Sequence, residues 1–305
     1  MKERLEKFEL HRQQVCKKAN TYLVIGIILI VLSFIFIGFS ATYVEEGDIF
    51  IAIFFIGFVA GIILTVINST MKSKLSTQFK NEFIVEYVKS IYPGCTYDPS
   101  VGISKERILE PGFFQRPDRW YLEDYLRAAY DGVPFEMSDF HFQEKHVTTD
   151  SKGNTRVTYV TYAKGRFMIF DFKRDFNKVV KVADNTGYGF NTRGLEKIET
   201  ESIDFNKKFK TYATDGITAF YVLTPQIQLK MLELESKFKG SIYFGFMSGK
   251  LYVAITDGVS ILDINASKKI SEDTMKIIES QLLLPASIIN ELGLSSDKYT
   301  IGDAI

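Results

Sequence analysis

Residues 19–44, ANTYLVIGIILIVLSFIFIGFSATYV, contain no Asp, Glu, Lys or Arg, and neither do residues 49–71, IFIAIFFIGFVAGIILTVINSTM, although charged residues are scattered through the rest of the chain. A helix rises ~1.5 Å per residue and a bilayer core is ~30 Å thick, so ~20 apolar residues suffice to cross it, and each window is long enough. The first span centres on Leu23 to Phe39 and the second on Phe50 to Ile67. Only Glu45 to Asp48 separates the windows, so the two helices are expected to turn back on each other as a hairpin. Gly26, Gly38, Gly57 and Gly61 lie inside them, as is common in membrane helices. Gly57 and Gly61 form a GxxxG step that lets another helix approach closely, and the first span is its natural partner. A cleaved signal peptide is disfavoured by length: its apolar core is roughly 7 to 15 residues, whereas this run is longer and is followed directly by a second.

The flanking charges set an expected orientation. Lys2, Arg4, Lys7, Arg12, Lys17 and Lys18 precede the first span, Lys72, Lys74 and Lys80 follow the second, and the turn carries Glu45, Glu46 and Asp48 with no cation. By the positive-inside rule, both termini are expected in the cytoplasm and the acidic turn on the far side of the cell membrane. The organisation that follows is a cytosolic lead-in over 1–18, a transmembrane hairpin over 19–71 and a cytosolic α+β domain over 72–305. Leu5, Phe8 and Val15 give the lead-in only a ragged apolar stripe, a weak amphipathic helix at most.

The 305 residues carry 37 basic and 37 acidic side chains, so no broad electrostatic footprint for nucleic acid exists. Cys16 and Cys95 have neither metal-type spacing nor the look of a disulfide framework.

Beyond the spans, Lys74 to Ser90 has helical spacing, with Phe79, Phe83, Ile84 and Tyr87 on one side, and should stop before Pro93-Gly94. A second helix is expected from Asp118 to Tyr130, with Tyr121, Leu122, Tyr125, Leu126 and Ala129 as its apolar stripe. From Phe135 the period approaches two. Phe135 to Val147 and Thr155 to Phe172 flank the polar turn Thr149 to Asn154, which predicts a long hairpin, and Phe167 to Phe170 reads as buried on both sides. Further strands are expected at Val179 to Val182, Phe209 to Tyr212 and Ile217 to Leu223. Thr224-Pro225 opens a helix whose stripe is Ile227, Met231, Leu234 and Phe238. Ser241 to Phe246 and Leu251 to Ile255 form a hairpin, and a last helix starts at Ser271 and breaks at Pro285. Helices, then strands, then helix and strands again predict α+β with a mainly antiparallel sheet.

Chemistry-bearing constellations are sparse. His141 and His146 are five apart on an expected strand, which puts them on opposite faces and argues against a shared metal ion. Gly189 to Gly194 has the glycine spacing of a phosphate loop, but Leu195-Glu196 stands where such a loop needs Lys and a hydroxyl, so a connector is expected and no cofactor. The carboxylate pairs Asp171 with Asp175 and Glu233 with Glu235 read as solvated surface. A groove lined by Tyr159, Tyr162 and Tyr188 is conceivable, though packing accounts for the 26 Phe and 16 Tyr with fewer assumptions. No catalytic residue can be named from these patterns.

The segment Phe205-Asn206-Lys207-Lys208-Phe209-Lys210-Thr211-Tyr212-Ala213-Thr214-Asp215, continuing through Ala219 to Pro225, resembles a bacterial family catalogued as domain of unknown function 3137. The likeness takes in Thr149 to Asn154 and the late hairpin ending Gly249 to Ile255, and covers most of residues 75 to 260. The resemblance implies two N-terminal membrane helices, a soluble region and a bacterial plasma-membrane address. It implies no activity and transfers no functional residue.

Three function classes follow. The leading one is a membrane-anchored binding or scaffold module, whose partners are the lipid bilayer and a protein at the membrane, in an oligomeric state the sequence leaves open. The second is a tethered enzyme acting on a lipid or peptide from an unrecognised cleft. A transporter or channel comes third, because neither span carries an ionisable residue.

Overall fold

A computed structural model describes residues 2–43, 48–171, 178–185, 190–260, 262 and 264–295. They divide into two compact units, Met1–Ile84 with Asp263–Lys276, and Val85–Leu262 with Ile277–Ile305.

In the first unit, helix α1 runs Lys2–Tyr43 and helix α2 runs Asp48–Phe79. Phe34 meets Phe54 and Phe58, Gly26 meets Gly61, and Phe8 meets Phe79 and Phe83, an order that makes the helices antiparallel. The lead-in is thus helical from Lys2, continuous with the first apolar window. Its buried stripe is Phe8, Arg12, Cys16 and Ala19 rather than Leu5, Phe8 and Val15, so a guanidinium occupies a position that hydrophobic patterning could not flag. A π-helical turn, Lys80–Ile84, follows α2 and buries Lys80, Phe83 and Ile84.

The second unit begins with helix α3, Val85–Ile91, which stops before Pro93-Gly94 as expected. Strand β1 is Thr96–Asp98, helix α4 Lys105–Leu109, and strands β2, β3 and β4 are Arg119–Tyr130, Val133–Thr149 and Thr155–Asp171. After β5, Val180–Asp184, and β6, Glu196–Ile198, come helix α5, Ile203–Lys208, and strand β7, Phe209–Ala213. Helices α6, Gly216–Val222, and α7, Pro225–Ser236, precede the hairpin of β8, Ser241–Met247, and β9, Lys250–Thr256. The last helices are α8, Glu272–Leu282, and α9, Leu284–Leu292. Among the described residues nine strands form one sheet in the order β1-β2-β3-β4-β9-β8-β5-β7-β6, with every pairing antiparallel. The fold class is α+β.

Three expectations are corrected. Asp118 to Tyr130 is not a helix: Arg119–Tyr130 is strand β2, and its register against β3 shifts between Glu123 and Leu126, where Asp124 takes φ 58°. That bulge breaks the alternation of inward side chains, so a period of two imitates a helical stripe. Ile217 to Leu223 is not a strand but mostly helix α6. The Asp215 carboxylate accepts the backbone N–H of Thr218 and caps it, which decides a short apolar run whose period fits either structure. The helix from Ser271 is not the last: α8 stops at Leu282, just before Pro285 as expected, but Pro285 then sits in the first turn of a further helix, α9, where its missing N–H costs nothing.

The long hairpin of β3 and β4 falls where alternation placed it, and Phe167, Met168, Ile169 and Phe170 are all buried. By register, one face of the sheet carries Phe140, Phe142, Phe167, Tyr243 and Tyr252, and Phe113 and Phe114 pack onto it from the chain after α4. The absent side chain of Gly245 admits the Phe113 ring, whose Cζ lies 3.0 Å from where a Cβ would stand. On the other face Asp139 lies opposite Arg166, which pairs with Asp257 and sits 5.5 Å over the Phe238 ring.

Candidate functional site

The seam of the hairpin is built from small residues. A Cβ on Gly61 would stand 2.7 Å from the Gly26 carbonyl and 2.5 Å from Ile30 Cγ1, and one on Gly26 would stand 2.8 Å from the Gly61 carbonyl. Gly57 leaves room for the Ser33 hydroxyl, which donates to the Leu29 carbonyl. The GxxxG step therefore faces the first span. Away from the seam the large apolar side chains are open: Ile56 is 71% exposed and Ile35 60%, and 11% of each apolar window is buried. A core helix of a water-soluble fold buries such a surface, so the two helices are candidate membrane spans.

At the foot of the hairpin, Phe8, Phe79 and Phe83 form a ring cluster with centroids 5.2–5.5 Å apart. One turn further, Arg12 holds both carboxylate oxygens of Glu9 at 2.7 Å and donates to the Ala266 carbonyl at 2.8 Å. Glu9 accepts the Ile270 N–H at 3.1 Å, and the Cys16 thiol donates to Ala266. Gln13 also donates to Glu9, so the buried guanidinium and carboxylate have partners beyond each other, and their bonds to the backbone fasten residues 266–270 to α1. Beside them lies a groove of about 640 Å³ whose walls include Leu5, Glu6, Leu10, Lys269 and Glu272.

The second unit has its own concavity, about 400 Å³, lined by Gly112, Phe114, Gln115, Arg116, Phe190 and Asn191. Residues 112–116 come from the chain between α4 and β2, and residues 190–191 from the chain before β6. The Asn191 N–H donates to the Gly112 carbonyl at 2.9 Å and ties the two walls together, while the Tyr162 hydroxyl donates to the Gln115 carbonyl at 2.6 Å and fixes one of them. Phe190 packs edge-on against Tyr212 at 5.4 Å. Behind two of these lining residues, on the same face of β5 as the aromatic cluster, Lys181 is only 8% exposed; it donates to the Asn191 carbonyl at 2.9 Å and lies against Gly112. Burial pushes its ammonium below the usual lysine range.

The residues singled out from sequence are not gathered there. His141 shares a hydrogen bond of 2.7 Å with the Thr161 hydroxyl, and His146 is 3.8 Å from Glu144. The irregularity between Phe142 and Gln143 places the extra residue in β4, so the two histidines keep opposite faces of β3. Among the described residues no group of three or more His, Cys, Asp or Glu could hold a metal ion. Glu233 pairs with Lys230 and Glu235 with Lys208; Asp175, Tyr188 and Gly189 lie outside the described residues. Tyr159 has the Arg119 guanidinium 3.3 Å over its ring, and Cys16 and Cys95 are free thiols. Lys181 escaped notice because a lone lysine between Val180 and Val182 reads as the solvent face of a strand. Residues distant in sequence cover it.

Residues 161–294 match a family model described as "Protein of unknown function (DUF3137)". The match takes in the segment from Phe205 to Pro225 and the late hairpin, and reaches past it to Leu294; the turn at Thr149 to Asn154 precedes it. No curated protein matches the chain. Among solved structures, the mycobacterial trehalose monomycolate transport factor A, TtfA, is similar over 71% of this chain and 94% of that chain, at 8% identity and a TM-score of 0.36, a likeness too low to carry an argument.

Proposed function

We propose that this chain, whose residues 161–294 match the DUF3137 model, is a membrane-anchored binding or scaffold module. In this reading residues 19–71 cross the cell membrane twice, residues 1–18 and 72–305 lie in the cytoplasm, and the sheet is presented to a protein or lipid at the membrane surface. The observation that carries the reading is the pair of helices joined by a glycine seam while their remaining apolar surface stays open, an arrangement that needs lipid around it. The cations Lys17, Lys18 and Lys74, exposed at the ends of the apolar windows, support the orientation. Confinement to a surface raises the effective concentration of the sheet for partners held there.

The test is affinity purification of the tagged full-length protein in mild detergent, with mass spectrometry of co-purifying proteins and lipids. The expected result is a reproducible membrane partner, recovered again when that partner carries the tag. A protein that purifies alone in both directions contradicts the scaffold reading.

A further inference from the structure

We propose that the concavity walled by residues 112–116 and 190–191 binds a small organic oxyanion, a carboxylate or phosphate ester on an apolar body, with Lys181 and Arg116 as its cationic partners. The inference names a ligand class for the binding reading above, and its failure in titration would leave the partner experiment standing.

Four observations carry it. Among the described residues the lining contains no Asp or Glu; it offers the Arg116 guanidinium, the Gln115 and Asn191 amides and two phenylalanine rings. Lys181 is nearly enclosed, yet among the described residues it makes no ion pair and spends its ammonium on one carbonyl. A buried cation without a counter-charge is costly, and charged groups of this kind are ordinarily paired. Arg116 stands exposed at the rim and likewise makes no ion pair among the described residues, leaving its fork of donors available to a planar or tetrahedral oxyanion. Gly112, at φ 65°, is all that stands between this lining and the ammonium: a Cβ there would stand 3.3 Å from Lys181 Nζ and 3.1 Å from Asn191 Cβ.

Together these give a site with two cations set at different depths and apolar surface from Phe114 and Phe190 beside them. A volume of about 400 Å³ lies within the range of about 300–1,000 Å³ typical of small-molecule sites. An anion seated there supplies the counter-charge that Lys181 lacks among the described residues and restores its proton affinity.

The experiment is thermal unfolding of the full-length protein in detergent with phenyl phosphate, benzoate, inorganic phosphate and dihexanoyl phosphatidic acid, against benzyl alcohol and chloride at matched ionic strength. An organic anion is expected to raise the midpoint in the millimolar range or below, and benzyl alcohol is not. Lys181→Met weakens the protecting anion about tenfold or more, the size of one charge-assisted hydrogen bond, and Arg116→Gln weakens it less. Protection by phenyl phosphate or benzoate identifies a soluble ligand; protection by the phosphatidic acid alone identifies an anionic lipid headgroup. Without ligand, Lys181→Met is expected to unfold at the wild-type temperature or above, because an apolar chain of similar length replaces an uncompensated cation. No protection by any of the anions, or protection that Lys181→Met retains in full, overturns the proposal. So does a large fall in the ligand-free midpoint of Lys181→Met, which would make the lysine a strut for Asn191.

Discussion

The hairpin and the sheet use the same side chains in opposite ways. Phe34, Ile56 and Ile63 stand open along α1 and α2, whereas Phe140, Phe167 and Phe244 are sealed within the sheet and its covering segments. In the hairpin, close contact belongs to residues with almost no side chain, Gly26 and Gly61; in the sheet it belongs to rings. Water explains the second pattern, since burying a ring removes a large apolar area from it. It does not explain the first, because large side chains left in water gain nothing from being there. A lipid solvent removes the drive to bury them and leaves backbone approach as the means of association.

Substitutions that separate the two solvents sharpen this contrast. Phe167→Ala in the sheet removes a fully buried ring and is expected to cost about 3–5 kcal/mol, read from denaturant unfolding in detergent. A loss below about 0.5 kcal/mol, the size of a surface change, would contradict the core assignment. Ile56→Lys replaces the most open of the large apolar side chains on α2. In lipid it raises the apparent insertion cost by about 3 kcal/mol, measurable as reduced translocon insertion. In water the same exposed substitution would move stability by no more than about 0.5 kcal/mol.

Smaller effects test the sheet unit alone. Thr224 accepts the Ile227 N–H at the start of α7, so Thr224→Ala is expected to cost about 1 kcal/mol, and Thr224→Ser should recover most of it. The smallest effect is electrostatic. Burial alone would raise the Glu136 carboxyl, but the two-point grip of Arg107, at 2.5 and 3.0 Å, with the Tyr125 hydroxyl, holds it below the usual carboxylate range. A depressed folded value stabilises above the unfolded pKa of ~4.3, and that contribution is lost as pH falls through the folded value. Because both groups are partly exposed, the pair is worth no more than about 1 kcal/mol. Glu136→Gln should flatten the acid limb of a stability profile while leaving neutral stability within that amount.

How far these features could be read in sequence follows from how local their causes are. The candidate spans are a matter of composition, and the turn at Asp150 satisfies itself: its carboxylate accepts the N–H groups of Lys152 and Asn154. The start of α7 is equally local, held by Thr224 and Pro225. Periodicity failed where one residue re-aimed the chain, at Asp124 in β2 and at the Asp215 cap of α6. The clamp and the oxyanion concavity were hidden for a different reason. Arg12 meets Ala266 and Lys181 meets Gly112 only through the tertiary fold, and neither cation differs in local sequence from one that stays in water.

The central claim, a chain that crosses the membrane twice with both ends on one side, is tested most directly by cysteine accessibility in intact cells. Cys16 and Cys95 are replaced by Ser, and single cysteines are placed at Glu46, which lies between α1 and α2 in the sequence and outside the described residues, and at the exposed Glu201. An impermeant maleimide is expected to label position 46 in intact cells and position 201 only after lysis. Labelling of 201 in intact cells, or of 46 only after lysis, contradicts it.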